Sequence, residues 1–327
     1  MSSKEETLRI RNFKSIFPDI SAVHDDVWGF TFIHKAVTGI INVNLEQELQ
    51  HAYRLEEIDV QDLRGRTPLH WAAFRGDEKF MKILLQAKAN FKVLDGESRT
   101  PLHAAIMSGS TRCMELLLIA GSNVSVRDGY GNTALAIAVW AHDNDSILEL
   151  LLLAGASVKS RNRGRDTPLQ SAACLNHKKN VAFLLEAGAE LETQDVNGDS
   201  PLFEAIYYNC YDSLELILAY NPRFDNVTAM GYTILHVLAL YGSEKTIGLF
   251  SNLDMKDVSI HSTDLKGRTA AELFEKRNDV TGELREAFEG LWRRLEKADR
   301  IGCVVDVQED GDNDMYFDAL SVLVETN

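Results

Sequence analysis

What most constrains this chain is a short phrase repeated at an almost fixed interval. It reads Thr67-Pro68-Leu69-His70 and again Thr100-Pro101-Leu102-His103, then Thr133-Ala134-Leu135, Thr167-Pro168-Leu169, Ser200-Pro201-Leu202 and Thr233-Ile234-Leu235-His236. The steps between neighbours are 33, 33, 34, 33 and 33 residues. A degraded copy, Thr269-Ala270-Ala271, follows 36 residues later, and Thr31-Phe32-Ile33-His34 precedes the first by the same 36. A chain that repeats at such a period stacks similar units, each contacting its neighbours, around a quasi-linear core.

Local signals say what each unit is. The Thr or Ser hydroxyl suits a helix N-cap, and Pro beside it suits the first helical position, where its missing N–H costs nothing. Some nine residues on, Gly76, Gly109, Asn176, Asn209 and Gly242 are residues that tolerate a left-handed helix end. A second apolar run follows, as in Ile83-Leu84-Leu85, Leu116-Leu117-Leu118, Phe183-Leu184-Leu185 and Leu216-Ile217-Leu218, closed at Gly121, Gly155 and Gly188. Polar turns such as Asp62-Leu63-Arg64-Gly65 and Asp195-Val196-Asn197-Gly198 precede each new Thr. The expected unit is turn, short helix, turn, longer helix, and the expected fold class is all-α.

Period and phrase together resemble the ankyrin repeat. The resemblance implies an ankyrin-repeat solenoid of six clear units with degenerate terminal ones, joined by β-hairpin-like turns. It also implies that His34, His70, His103 and His236, all in the fourth place of the phrase, are structural and hydrogen-bond between units.

Boundaries follow from where the pattern frays. Residues 1–28 precede any repeat, with Leu8, Ile10, Phe13, Ile16 and Phe17 near helical spacing until Pro18, and are expected to cap the stack. Residues 29–61 read as an irregular first repeat with a helix-like stretch from Leu45 to Leu55, and 62–275 hold the repeats. The 34-residue step places one extra residue near His142-Asp143-Asn144-Asp145. Residues 276–303 carry an apolar stripe, Leu284, Phe288, Leu291, Trp292 and Leu295, that predicts a C-terminal capping helix. From 304 to 327 the chain holds seven acidic residues and no Lys or Arg around Met315, Tyr316 and Phe317, an acidic–aromatic tail suited to binding.

Composition narrows the chemistry. The net charge of −15 argues against a nucleic-acid backbone as the partner, since phosphate contacts need clustered Lys and Arg. Cys113, Cys174, Cys210 and Cys303 lie far apart, which suggests free thiols in a reducing compartment. The charged start, Met1-Ser2-Ser3-Lys4-Glu5-Glu6, is unlike a secretory leader, and no apolar run is long enough to span a bilayer. An intracellular protein, nuclear or cytoplasmic, is expected. No phosphate-binding glycine loop, metal-ligand spacing or paired carboxylates stand out, so neither cofactor nor metal is expected. Cys174 with His177 is the nearest approach to a nucleophile and base, and no third residue orients them.

Function must then lie in a surface. In the ankyrin architecture the first helices and turn tips line a concave groove that usually holds partners. The seventh and eighth places past each Thr are Phe74 and Arg75, Met107 and Ser108, Trp140 and Ala141, Cys174 and Leu175, Tyr207 and Tyr208, Leu240 and Tyr241. Aromatic residues and Met are enriched at binding hot spots. These side chains either anchor a partner, pack onto adjacent units, or lie beneath the chain's own tail. The turn tips Arg64, Arg66, Glu97, Tyr130, Arg163, Arg165, Asp199 and Tyr232 are expected to project along one edge, with local basic character at Arg64 and Arg66 and again at Arg161, Arg163 and Arg165 that could receive an acidic segment of a partner or the chain's own acidic tail.

Trp28-Gly-Phe-Thr-Phe-Ile-His34, Asp62 to Ala73, Arg75-Gly76-Asp77 and the tail's Phe317-Asp318-Ala319 resemble the ankyrin regions of filamentous-fungal proteins. Some such proteins act as transcription co-regulators encoded with secondary-metabolite pathways. The resemblance implies a non-enzymatic adaptor that binds another protein, a transcription factor in one reading and a biosynthetic enzyme held by a cytoplasmic scaffold in the other. An enzyme with an unrecognised site is the third.

Overall fold

The computed structural model describes residues 28–255 and 258–298. The expected N-terminal cap before residue 28 and the tail with Met315, Tyr316 and Phe317 lie outside them. Among the described residues every regular element is helical, apart from a single bridge between Thr263 and Thr269. The chain divides into two compact units, Met1–Leu191 and Glu192–Asn327.

In the first unit the short helices Pro68–Arg75, Pro101–Ser108, Ala134–Ala141 and Pro168–Cys174 alternate with the longer Glu78–Gln86, Thr111–Ile119, Asp145–Leu153 and Lys178–Glu186. In the second, Pro201–Tyr207 and Ile234–Tyr241 alternate with Tyr211–Ala219 and Glu244–Phe250, and Ala270–Glu275 precedes a helix over 282–298. The repeated phrase explains the short helices. Thr67 and Thr167 accept the third backbone N–H of the helix, and the residue there returns a bond to the cap, a reciprocal capping box. Leu69, Leu102, Leu135, Leu169, Leu202 and Leu235, third in the phrase, are all in the core.

The histidines hold one repeat to the next. In each, Nδ1 accepts from the capping Thr N–H, at 3.2 Å for His34, 3.1 Å for His70 and 3.2 Å for His236. That leaves Nε2 as donor, and it reaches the carbonyl just before the next repeat's Thr: Arg66 at 2.9 Å, Arg99 at 3.1 Å and Arg268 at 3.0 Å. The structural role implied by the resemblance is therefore observed. His103 keeps the Thr100 half, at 3.0 Å, but its Nε2 meets no acceptor in good geometry, and the Val126 backbone contributes only a minor favourable interaction.

Turns are tight hairpins. Asp62 Oδ1 accepts from the N–H groups of Arg64 and Arg66, and Asp95, Asp128, Asp195 and Asp264 repeat the arrangement. One turn bonds to the next through the backbone, as in Gly96 N–H to Arg64 O at 2.7 Å and Ala229 N–H to Asn197 O at 2.6 Å.

Helix ends follow the expected residues with one exception. Gly76, Gly109, Asn176 and Asn209 have positive φ, but Gly242 does not: its φ is −61° and its ψ 133°. A Cβ at Gly242 would lie 2.6 Å from the Leu238 carbonyl oxygen, so glycine is there for space rather than for handedness. The longer helices end at Gly121, Gly155 and Gly188, all left-handed, and Lys88 holds the same place one period earlier with φ 69°. Non-glycine residues pay roughly 1–2 kcal/mol in that conformation, partly offset by glycine's greater chain entropy. Lys88→Gly is expected to stabilise the protein by about 0.5–1 kcal/mol, read as a higher urea midpoint.

Of two irregular places, the first departs from expectation and the second lies where the extra residue was expected. The stretch from Leu45 to Leu55 is not one helix but two short pieces, Leu45–Glu48 and Ala52–Leu55, because His51 is extended and interrupts them. Arg54 in the second piece lies 3.5 Å over the Phe32 ring and pairs with Glu57. At the extra residue of the 34-residue step, His142 is extended, and its Nε2 bonds the Ile106 carbonyl at 2.9 Å. Asn180 then bonds His142 O and Asp143 Oδ1, so the insertion is anchored on both sides. The stripe on 282–298 packs inward at Leu284, Phe288, Leu291 and Leu295, with Phe288 stacked on Phe274 at 4.0 Å, while Trp292 is half-buried.

Candidate protein-binding face

Successive short helices lie side by side, joined at their C-terminal ends. Arg75 donates to Thr38 O at 2.7 Å, Ser108 Oγ to Ala73 O at 3.0 Å, and Asn209 Nδ2 to Tyr241 O at 3.0 Å. The seventh and eighth places of each helix thereby fall at equivalent positions in each unit.

In the first unit Phe74, Met107 and Trp140 are all half-buried, while Arg75 and Ala141 are exposed. Phe74 stands edge-on to Trp71, at 6.4 Å and 77°. Trp71 itself is core, packed edge-on against Trp28 and Phe30, with its Nε1 donating to Asp62 Oδ2 at 2.9 Å. Phe74 and Met107 flank a cleft walled by Arg66, His70, Asp95 and Arg99. Its volume of about 20 Å³ suits a single water.

In the second unit Tyr207 and Tyr241 meet edge to face at 4.8 Å, with Tyr241 38% exposed and Tyr208 and Leu240 half-buried. Tyr207 donates to Asp199 Oδ1 at 2.8 Å. Burial, and then the Asp199 charge, push its phenol pKa well above the usual range. Burial likewise raises that of Tyr241, followed by Tyr232 and Asp199. Tyr232 stacks on His236. So the expected face residues are gathered in two sets, each neither sealed into the core nor fully solvated.

The turn tips divide differently from expectation. Arg64, Glu97, Tyr130, Arg163 and Arg165 are exposed. Arg66 and Asp199, expected to project, are buried at 7% and 8% exposure, and Tyr232 is half-buried. Side chains alternate across a hairpin, so the residue after the turn's Gly points inward when the one before it points out. Arg66 lies 5.1 Å over the Trp71 ring and 3.9 Å from Asp95, and burial lowers its pKa. One contributor was missed: Arg127, whose guanidinium bridges to the Gly131 and Arg161 carbonyls. The only signal for it was its 34-residue offset from Arg161.

Other chemistry is occupied elsewhere. Cys174 Sγ donates to Ser171 O and His177 Nδ1 bonds Val139 O, so the two turn to different partners. Asp195, Asp199 and Glu204 bring carboxylates within 4.8 Å of one another. Asp195 there braces its own turn and Asp199 takes the Tyr207 hydroxyl. No helix of the described residues is long and apolar enough to cross a membrane.

The family description "Ankyrin repeats (3 copies)" matches residues 33–128, 88–162 and 135–227. A probable E3 ubiquitin-protein ligase of Oryza sativa subsp. japonica, XBOS32, is 29% identical over 87 residues, 26% of this chain and 18% of that protein. The palmitoyltransferase AKR1 of Naumovozyma castellii is 38% identical over 72 residues, 21% of this chain and 10% of that protein. The chain thus spans less than a fifth of the length of these curated relatives. Among solved structures, the human ASB11 ankyrin repeat domain matches at TM-score 0.59 and 23% identity, covering 68% of this chain and 98% of that one. The ankyrin repeat domain of Bcl-3 matches at TM-score 0.58 and 25% identity, with the same coverage.

Proposed function

This chain belongs to the ankyrin-repeat family, and we propose that it is a non-enzymatic scaffold whose short-helix faces hold another protein, as an intracellular regulatory adaptor or transcription co-regulator. The observation that carries this is the half-exposed set Phe74, Met107 and Trp140 in one unit and Tyr207, Tyr208, Leu240 and Tyr241 in the other. A face that met only water would gain from polar residues there. Aromatic and Met side chains of intermediate exposure are instead the types that anchor partners, at roughly 2–4 kcal/mol each. The acidic–aromatic composition of 304–327 favours the regulatory reading, since such segments recruit other proteins.

The test is quantitative affinity purification from the native cell, comparing wild type with Trp140→Ala/Tyr208→Ala/Tyr241→Ala after circular dichroism shows that both fold. At least one protein is expected to fall by more than about tenfold in the variant, as the loss of one or more such anchors requires. If that protein binds DNA, the regulator reading stands; if it is a biosynthetic enzyme, the chain is a cytoplasmic scaffold. Matching sets of captured proteins would reject this face as the working surface.

A further inference from the structure

The turn at residues 162–166 departs from most of its fellows. At Gly65, Gly131, Gly198, Gly231 and Gly267 the turn residue with positive φ is glycine, and in the turn at 95–99 it is the small Ser98, at φ 60°. Here glycine is displaced one place, to Gly164, and Arg165 carries the left-handed φ of 65°. A non-glycine residue held there is strained, and such strain persists where a surface has a use for the side chain.

The charge around it is equally unusual. Lys159, Arg161, Arg163 and Arg165 fall within seven residues with no Asp or Glu among them, in a chain of net charge −15. Lys159 is paired with Glu190. Arg54, Arg112, Arg268 and Arg285 are matched to carboxylates, and Arg75 and Arg294 to backbone carbonyls. Among the described residues the guanidiniums of Arg161, Arg163 and Arg165 make no ion pair or side-chain hydrogen bond. Arg127 adds a fourth guanidinium by holding the Arg161 carbonyl. Tyr130, 44% exposed, stands on the adjoining tip, its carbonyl accepting from Arg163 N–H at 3.0 Å.

We propose that this tip, with Arg127, Arg161, Arg163, Arg165 and Tyr130, docks an acidic segment of a partner protein, one that presents a run of Asp and Glu carboxylates. The inference rests on the reading of the chain as a partner-binding scaffold, but it assigns a surface separate from the short-helix face. Guanidinium forks match planar carboxylates two bonds at a time, which a lysine ammonium cannot do, and all four cations here are Arg. Range favours a short segment over a nucleic acid. At physiological salt a charge acts over about 8 Å, so a few carboxylates seated on the tip feel its cations. A long polyanion would also lie against the remainder of an acidic protein.

The test uses the full chain and a fluorescein-labelled Asp/Glu-rich peptide with one central Leu, followed by fluorescence anisotropy at about 50 mM salt. Arg161→Ala/Arg163→Ala/Arg165→Ala is expected to weaken binding by more than about tenfold, and the triple Lys variant to fall between. Arg165→Gly is expected to raise the urea midpoint while weakening binding several-fold, which separates recognition from damage to the fold. Equal binding by wild type and the triple Ala variant would overturn the inference, as would no binding at all. Tighter binding of duplex DNA, or of the same peptide with phosphoserine in place of Glu, would overturn the carboxylate assignment. A synthetic 304–327 peptide that competes better than its scrambled form would replace the partner with the chain's own tail. Met107→Ala/Trp140→Ala is expected to leave peptide affinity unchanged. A loss there would move the site to the short-helix face and leave the scaffold reading intact.

Discussion

Gly198→Ala is expected to destabilise the second unit by about 2–4 kcal/mol, whereas Gly267→Ala costs only about 1 kcal/mol. Both glycines sit in the left-handed region, at φ 78° and 72°. They differ in what a Cβ would meet. At Gly198 it would come within 2.8 Å of Ala229 N and 2.9 Å of Thr228 Cα, the backbone of the next turn. At Gly267 nothing lies within 4 Å. Since Ala229 N–H bonds Asn197 O at 2.6 Å, the two hairpins cannot separate to admit a methyl group without losing that bond. Urea midpoints of the two variants separate the cost of handedness from the cost of the close approach. Equal losses would mean that the turn-to-turn contact contributes little.

The second large effect is acid sensitivity. Burial pushes the His103 imidazole pKa down to about 4 and lowers those of His34 and His70, because a charged ring has no water there. In the unfolded chain His titrates near 6.5. A base whose folded pKa is depressed leaves the unfolded state holding more protons, so its contribution is complete above pH 6.5 and is lost as pH falls from there towards 4. For His103 alone the loss amounts to about 3 kcal/mol, at roughly 1.4 kcal/mol for each pH unit. His103→Gln supplies the control. Gln170 already occupies the same place in another repeat, where its Oε1 accepts from Thr167 N–H at 2.8 Å. The variant is expected to be within about 1 kcal/mol of wild type at pH 7 and markedly less sensitive between pH 6.5 and 4.5. Urea unfolding at both pH values measures it. Parallel profiles would show that His103 is not the group responsible.

Much of this was legible in the sequence because it is local or periodic. The Thr cap, the Pro beside it and the Leu in the core follow from one phrase and its spacing, and the His reaching forward was implied by the ankyrin resemblance. The positions of Phe74, Met107, Trp140, Tyr207 and Tyr241 followed from counting along each helix. Features set by a neighbouring turn did not follow. Arg66 and Asp199 look like tip residues in isolation, and only the pairing of one hairpin with Trp71 and the other with Tyr207 turns them inward. Gly242 looked like another left-handed cap, while its reason is the nearby Leu238 carbonyl. The exchange of Gly and Arg at 164 and 165 is visible in the sequence, but its consequence, a strained arginine among unpaired cations, needs the backbone.

Hydrogen exchange of the full chain, with and without the partner recovered by affinity purification, tests the scaffold account most directly. Slowed exchange is expected at the C-terminal halves of the short helices, around Phe74–Arg75, Met107–Ser108, Trp140–Ala141 and Tyr207–Tyr208, with the longer helices unchanged. Protection confined to the longer helices, with none on the short ones, would contradict it.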